Sequence, residues 1–248
     1  MLRLLFCGLL LAAGHLCAQD APARTVPTDG ATRLELSAFF SEVIVTSGPG
    51  PDVRLEHRVT IDGEPRPDLA TLDVAREDGV LQVVETGPRE KDLKHPGTRY
   101  FQVNGAPTEG ESRRRVRVSL TVQVPAGIEV AIETQYGGVE VTDVAGLRRV
   151  YAKYGGARVV YANVRPTGPL RLESGYGDVD LSLPAGAGAD LELSTEFGEL
   201  LTDFDIALDA DRSEQRQFYE RVVGKINGGG AQVQCRAKYD RVYLRKAR

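Results

Sequence analysis

Along most of the chain apolar and polar residues alternate singly, the period of a strand with one face in a core. Leu34-Glu35-Leu36-Ser37, Val53 to Ile61, Val80 to Val84 and Val116 to Val124 all follow it. Between Ile128 and Phe204 the alternation is punctuated four times by one phrase: an aromatic residue, a glycine, then a small or acidic residue. The copies are Tyr136-Gly137-Gly138, Tyr154-Gly155-Gly156, Tyr176-Gly177-Asp178 and Phe197-Gly198-Glu199, at intervals of 18, 22 and 21 residues. A repeat of roughly 20 residues with one strand pattern and one turn per copy predicts stacked coils that bury one another's apolar rows. The expected fold is all-β, a β-solenoid-like stack of short strands with glycine corners in 128–248. A single domain over 31–248 would include a more irregular, partly antiparallel half in 31–127.

Glycine after the aromatic predicts a sharp corner at φ > 0, where a Cβ would clash. Stacking such corners about 4.8 Å apart places tyrosine over tyrosine. Structural stacking accounts for these rings, and a platform for sugars or bases is the second reading. Phe39-Phe40-Ser41 lies between two strand patterns where later copies have an aromatic and a glycine, so it reads as a degenerate first copy. Pro125-Ala126-Gly127 and Pro184-Ala185-Gly186 each open a coil, a separate trace of duplication. Asp78-Gly79 between alternating runs predicts a hairpin.

Three stretches break the pattern. Residues 20–30 are rich in Pro, Ala and Thr and read as a flexible leader. Thr86 to Ser112 has little periodicity; a connection of that length is functional or disordered, and it is the expected place for a partner-specific contact. Residues 209–223 are charged and predict a short helix or a protruding surface loop, with the pattern resuming at Gly224.

Composition sets the compartment. Arg3, the apolar run Leu4 to Ala13 and Cys17-Ala18-Gln19 form a secretory signal peptide over 1–19, with cleavage after Ala18 or Gln19. Lipidation at Cys17 would use a site preceded by His15 and Leu16, which fit poorly. The mature chain then keeps Cys235 as its one thiol and His57 and His95 as its imidazoles, so no intramolecular disulfide is available. The formal charge of −4 argues against nucleic acid as a partner. No second apolar run approaches the length of a membrane-spanning helix.

Candidate chemistry is sparse. His57 falls on the apolar side of its strand and reads as a core or edge histidine. Cys235 shares a face with Ala231 and Val233 and reads as a small buried hydrophobe. Arg113, Arg115 and Arg117 share an outward face, either a solvated face that protects a strand edge or a contact for an anionic glycan or lipid headgroup. Acids alternate singly (Glu140, Asp180, Glu192), so no catalytic, cofactor-binding or metal-binding residues are assigned and no cofactor is expected.

The signal peptide, the repeated Tyr-Gly corners, Phe197 to Ile206, GKINGGG at 224–230 and VYLRK at 242–246 together resemble the bacterial adhesin-like family of β-strand-repeat proteins of unknown function. The similarity runs over most of the mature chain and is strongest from about Val116 onward. It implies an exported β-solenoid at the cell envelope, with adhesion as its role and no established catalytic residues. The chain departs from the phrase at Tyr239-Asp240-Arg241 and Phe40-Ser41, so the end coils are expected to be less regular. The leading expectation is a non-enzymatic, adhesin-like scaffold in the periplasm, on the cell surface or outside the cell, facing a glycan or an envelope protein. A periplasmic envelope-stress sensing module and a β-helix enzyme acting on acidic polysaccharides are the alternatives.

Overall fold

The computed structural model describes residues 23–93, 101–104 and 114–247. The signal-peptide assignment, His95 and most of 86–112 therefore lie outside the described residues. The first part of the chain forms β1 (Arg24–Val26), β2 (Arg33–Ala38), β3 (Glu42–Ser47), β4 (Val53–Ile61), β5 (Glu64–Pro65), β6 (Leu72–Glu77) and β7 (Val80–Glu85). A single helical turn α1 (Glu90–Leu93), β8 (Phe101–Val103) and the long β9 (Arg114–Val124) follow. Then come β10 (Glu129–Thr134), β11 (Val139–Thr142), β12 (Leu147–Ala152), β13 (Ala157–Val160), β14 (Leu170–Ser174), β15 (Val179–Leu183), β16 (Ala189–Thr195) and β17 (Leu200–Thr202). The chain closes with β18 (Ala207–Leu208), β19 (Glu214–Arg216), β20 (Tyr219–Ile226), β21 (Ala231–Ala237) and β22 (Val242–Lys246).

These strands make two sheets of 11 strands each. Six strand–corner–strand units, β2–β3, β10–β11, β12–β13, β14–β15, β21–β22 and β16–β17, place one strand in each sheet, and in this spatial order every contact between neighbouring units is parallel. The order departs from sequence order: the last unit of the chain, β21–β22, is inserted between β14–β15 and β16–β17. In the second sheet Leu36, Ile132, Val150, Leu172, Cys235 and Leu193 stand in one register row, each no more than 2% exposed. Each such side chain contributes about 1.5–3 kcal/mol by leaving water, and the alternation read from the sequence supplies one row per pleat.

Antiparallel strands close both sheets at one end and the second sheet at the other, where the first sheet ends on the short parallel strand β17. β4 pairs with β9 and β1 with β4 in the first sheet, while β6 pairs with β7 through an Asp78-Gly79 turn with both residues at positive φ. At the other end β20 pairs antiparallel with β16 and carries β18 and β19. Residues 209–223 are thus mostly a hairpin that covers a sheet edge, and no helix forms there. The expected leader also contributes structure, because β1 pairs with β4 and buries Val26.

β7 lies parallel to β2 and β9 parallel to β3, so these two strands flank the first unit just as a further unit would. The chain between them takes the place of a four-residue corner. Its described beginning buries Leu93 in a small second core with Phe40, Val59, Ile61, Val116 and Val118.

Candidate interaction surface

Pairing aligns the corners residue by residue: Phe39-Phe40-Ser41-Glu42, Gln135-Tyr136-Gly137-Gly138, Lys153-Tyr154-Gly155-Gly156, Gly175-Tyr176-Gly177-Asp178, Lys238-Tyr239-Asp240-Arg241 and Glu196-Phe197-Gly198-Glu199. The glycines after the aromatics are not at positive φ, which overturns the expected reason for them. Close approach is the reason instead: a Cβ on Gly155 would lie 2.4 Å from the Gly137 carbonyl oxygen, and one on Gly177 would lie 2.7 Å from that of Gly155. Positive φ matters elsewhere, along Asn227-Gly228-Gly229-Gly230, where the chain crosses the end of β16 to start β21.

Just before each corner sits a buried small residue, and in spatial order these run Ala38, Thr134, Ala152, Ser174, Ala237, Thr195. Alanine alternates with a hydroxyl, and the hydroxyls bond corner backbone inside the dry core. The Ser174 hydroxyl donates to the Gly155 carbonyl at 2.9 Å and accepts the Gly177 N–H at 2.8 Å; Thr195 does the same for Asp240 and Gly198 at 2.9 and 3.0 Å. Thr134 donates to the Gly137 carbonyl at 2.7 Å. In the first unit one Glu85 carboxylate oxygen accepts the N–H groups of Phe39, Phe40 and Ser41 at 2.8, 3.2 and 3.1 Å. In the second unit, Gln135 and Tyr136 donate instead to the carbonyls of Ala38 and Phe39 in the preceding unit. Neither device was visible before the pairing was known.

Fixed this way, the corner side chains form one row of rings. Tyr136, Tyr154, Tyr176, Tyr239 and Phe197 stack in that order with centroids 5.1, 5.2, 4.8 and 5.3 Å apart and ring planes within 24°. Phe40 stacks on Tyr136 at one end, with Phe39 edge-on to both, and Phe218 tilts over Phe197 at the other. Tyr239, expected to be irregular, takes a full place in the row. The five stacked rings are between 38% and 55% exposed, and Phe218 at the far end is 64% exposed. Lys153 and Lys238 lie 5.1 Å over the rings of Tyr154 and Tyr239. At the ~4.8 Å strand spacing the row is roughly 25 Å long. Because the rings cover one another's faces, the row presents edges and hydroxyls to solvent. A sugar-stacking platform needs an open face, so that reading is left only for the two ends.

The outer face of the first sheet carries the arginines. β3 pairs with β9 only from Ser119 onward; at Arg115 and Arg117 the flank opposite β4 is met by β8 and by Asn104, which bonds the backbone of Val116 and Val118, so these arginines do not stand on an open edge. Arg113 lies outside the described residues. With Arg58, Thr60, Asp62, Gly63 and Ser119, Arg115 and Arg117 line a cleft of about 640 Å³. Farther along this face, burial raises the Asp180 carboxyl above the usual carboxylate range, against the pull of Arg245 and Arg158.

A cleft of about 770 Å³ lies on the outer face of the second sheet, beneath Ala207 to Asp209. Its charges are matched: Asp190 with Lys225, Glu192 with Arg221, Arg171 with Glu173, and Arg148 with Glu129.

The chain shares its fold with a solved protein. A candidate cell adhesion protein from Clostridium sporogenes superimposes with a TM-score of 0.57 at 11% identity, over 91% of this chain and 98% of that one. A candidate adhesin from Bacteroides fragilis aligns over 91% of this chain and 96% of its own at 10% identity, with a TM-score of 0.25. No family model matches the sequence, and no curated protein matches it.

The remaining candidates are internal. His57 is buried with its Nε2 atom 3.6 Å from the Glu85 carboxylate, a partner from the other sheet that sequence spacing did not suggest. Cys235 is fully buried, and burial pushes its thiol up to about 12. Among the described residues no group of three His, Cys, Asp or Glu is placed to hold a metal ion, and no helix is long and apolar enough to cross a membrane.

Proposed function

We propose that this protein is a non-enzymatic, exported scaffold of the cell envelope, adhesin-like, in which the strand–corner–strand units are coils of a two-sided β-solenoid. The exposed row of rings is the observation that carries this reading. A contiguous exposed aromatic strip marks an interaction surface more often than an accident of composition, and aromatic side chains are the residues that interfaces favour. The nearly full-length likeness in fold to a candidate cell adhesion protein supports the same role. The strip's exposed edges favour a flat partner surface, a protein or a glycan, lying along the coils.

The test is adherence. Full-length protein coated on beads, or displayed on cells, is expected to bind envelope or host-surface preparations, and Tyr154→Ser with Tyr176→Ser to reduce that binding. Binding that is unchanged in a folded double variant would reject the row as the contact. Protection from external protease on intact cells would place the protein in the periplasm, where a sensing role fits better.

A further inference from the structure

We infer that the cleft on the outer face of β4 and β9 is a binding site for an acidic sugar residue, with Arg115 and Arg117 holding its carboxylate. The inference rests on the scaffold reading only in taking the ligand to be a glycan.

Register places Arg58 opposite Ser119 and Thr60 opposite Arg117, so three guanidinium groups and two hydroxyls share one patch of pleated surface. Like charges set this close on neighbouring strands repel one another. Arg58 bonds Glu56, and the Asp62 carboxylate accepts the backbone N–H of Arg115 at 2.8 Å. The Arg115 and Arg117 side chains have no ion pair among the described residues, whereas the charges lining the cleft on the second sheet are matched. Nor do these two arginines guard an open edge, because β8 and Asn104 take up the backbone of β9 on the side away from β4.

Among the described residues the Arg115 and Arg117 charges are thus offset by no ion pair, and with Asp62 as the one lining carboxylate the patch keeps a net positive charge complementary to an anion. A guanidinium fork fits a planar carboxylate with two parallel hydrogen bonds. Thr60 and Ser119 beside it supply hydroxyl partners suited to a sugar ring, and a volume of about 640 Å³ suits a ligand of one or two sugar residues. A nucleic acid would require a longer basic track, and the chain's formal charge of −4 opposes one.

The full chain should be titrated calorimetrically with an oligogalacturonate, with the corresponding neutral galactose oligomer, with inorganic phosphate and with phosphatidylglycerol vesicles. Saturable binding of oligogalacturonate alone is expected, weakening with salt. Arg115→Ala with Arg117→Ala should lower that affinity roughly tenfold or more, while Arg117→Lys retains part of it. Both positions are exposed, so circular dichroism should show the variants folded. Equal binding of the neutral oligomer, an unchanged affinity in the double alanine variant, or tighter binding of phosphate or vesicles would overturn the assignment. Loss of adherence in the tyrosine variants with oligogalacturonate binding intact would strike the scaffold's contact surface and leave this site standing.

Discussion

Tyr176 and Tyr239, 63 residues apart in sequence, stack ring on ring at 4.8 Å. The contact exists because β21–β22 enters the stack beside β14–β15, ahead of the earlier-made β16–β17. Both sheets therefore depend on the last segment of the chain. A chain ending at residue 230 is expected to leave β16 and β17 without their parallel partners. Limited proteolysis should then cleave within 189–226 while the units from β2 to β13 stay protected.

Gly155 is where two backbones meet. Gly155→Ala is expected to destabilise the fold by about 3 kcal/mol or more, since the added carbon would sit 2.4 Å from a carbonyl oxygen of the unit beneath. Glu140→Ala, on the exposed face, should change stability by less than about 0.5 kcal/mol. Urea denaturation of the two variants measures the difference.

Ser174→Ala removes a hydroxyl that serves an N–H and a carbonyl of two different corners. A loss of about 1–3 kcal/mol is expected, the cost of leaving buried polar groups unpaired. Ser174→Thr should recover most of it, because Thr195 makes the same pair of bonds two rows away.

Glu85→Ala exposes the same principle at the first unit. Three N–H groups lose their common acceptor, and a penalty of about 3 kcal/mol or more is expected. Hydrogen exchange should accelerate at Phe39 to Ser41 before it does at Tyr154 or Tyr176.

Cys235 couples stability to alkaline pH. Burial raises its thiol from a model-compound value of 9.0 to about 12, so the unfolded chain releases this proton first as pH rises. The stability it contributes is complete below pH 9 and is lost progressively between 9 and about 12. The stability gap between the native protein and Cys235→Ala should narrow as pH rises through that window. In the folded protein the thiol should resist iodoacetamide at pH 8 and react only after denaturation.

Much of this was legible in the residues. Single alternation marked nearly every long strand, and the aromatic at each corner announced the row. Asp78-Gly79 gave its hairpin because both residues tolerate positive φ. The order of the units was not legible: Tyr239-Asp240-Arg241 stood out as a corner that departs from the phrase, but nothing in the residues placed the last unit between two earlier ones. The alternating alanines and hydroxyls escaped notice because they become neighbours only once strands distant in sequence are paired. The arginine face was visible as a pattern, but its meaning turned on whether β9 was an edge, which only the topology decides. The glycines were rightly picked out for a wrong reason, since local conformation can be guessed from one residue type and the approach of a second backbone cannot.

The row of rings also gives the molecule an optical property of its own. The chain contains no tryptophan, and Tyr136, Tyr154, Tyr176 and Tyr239 follow one another at about 5 Å. At that spacing their transition dipoles couple, so these four of the chain's nine tyrosines contribute to the near-ultraviolet circular dichroism as an array, beside the signal of the tyrosines outside the row. Any slippage of one strand–corner–strand unit against the next would be written directly into that spectrum.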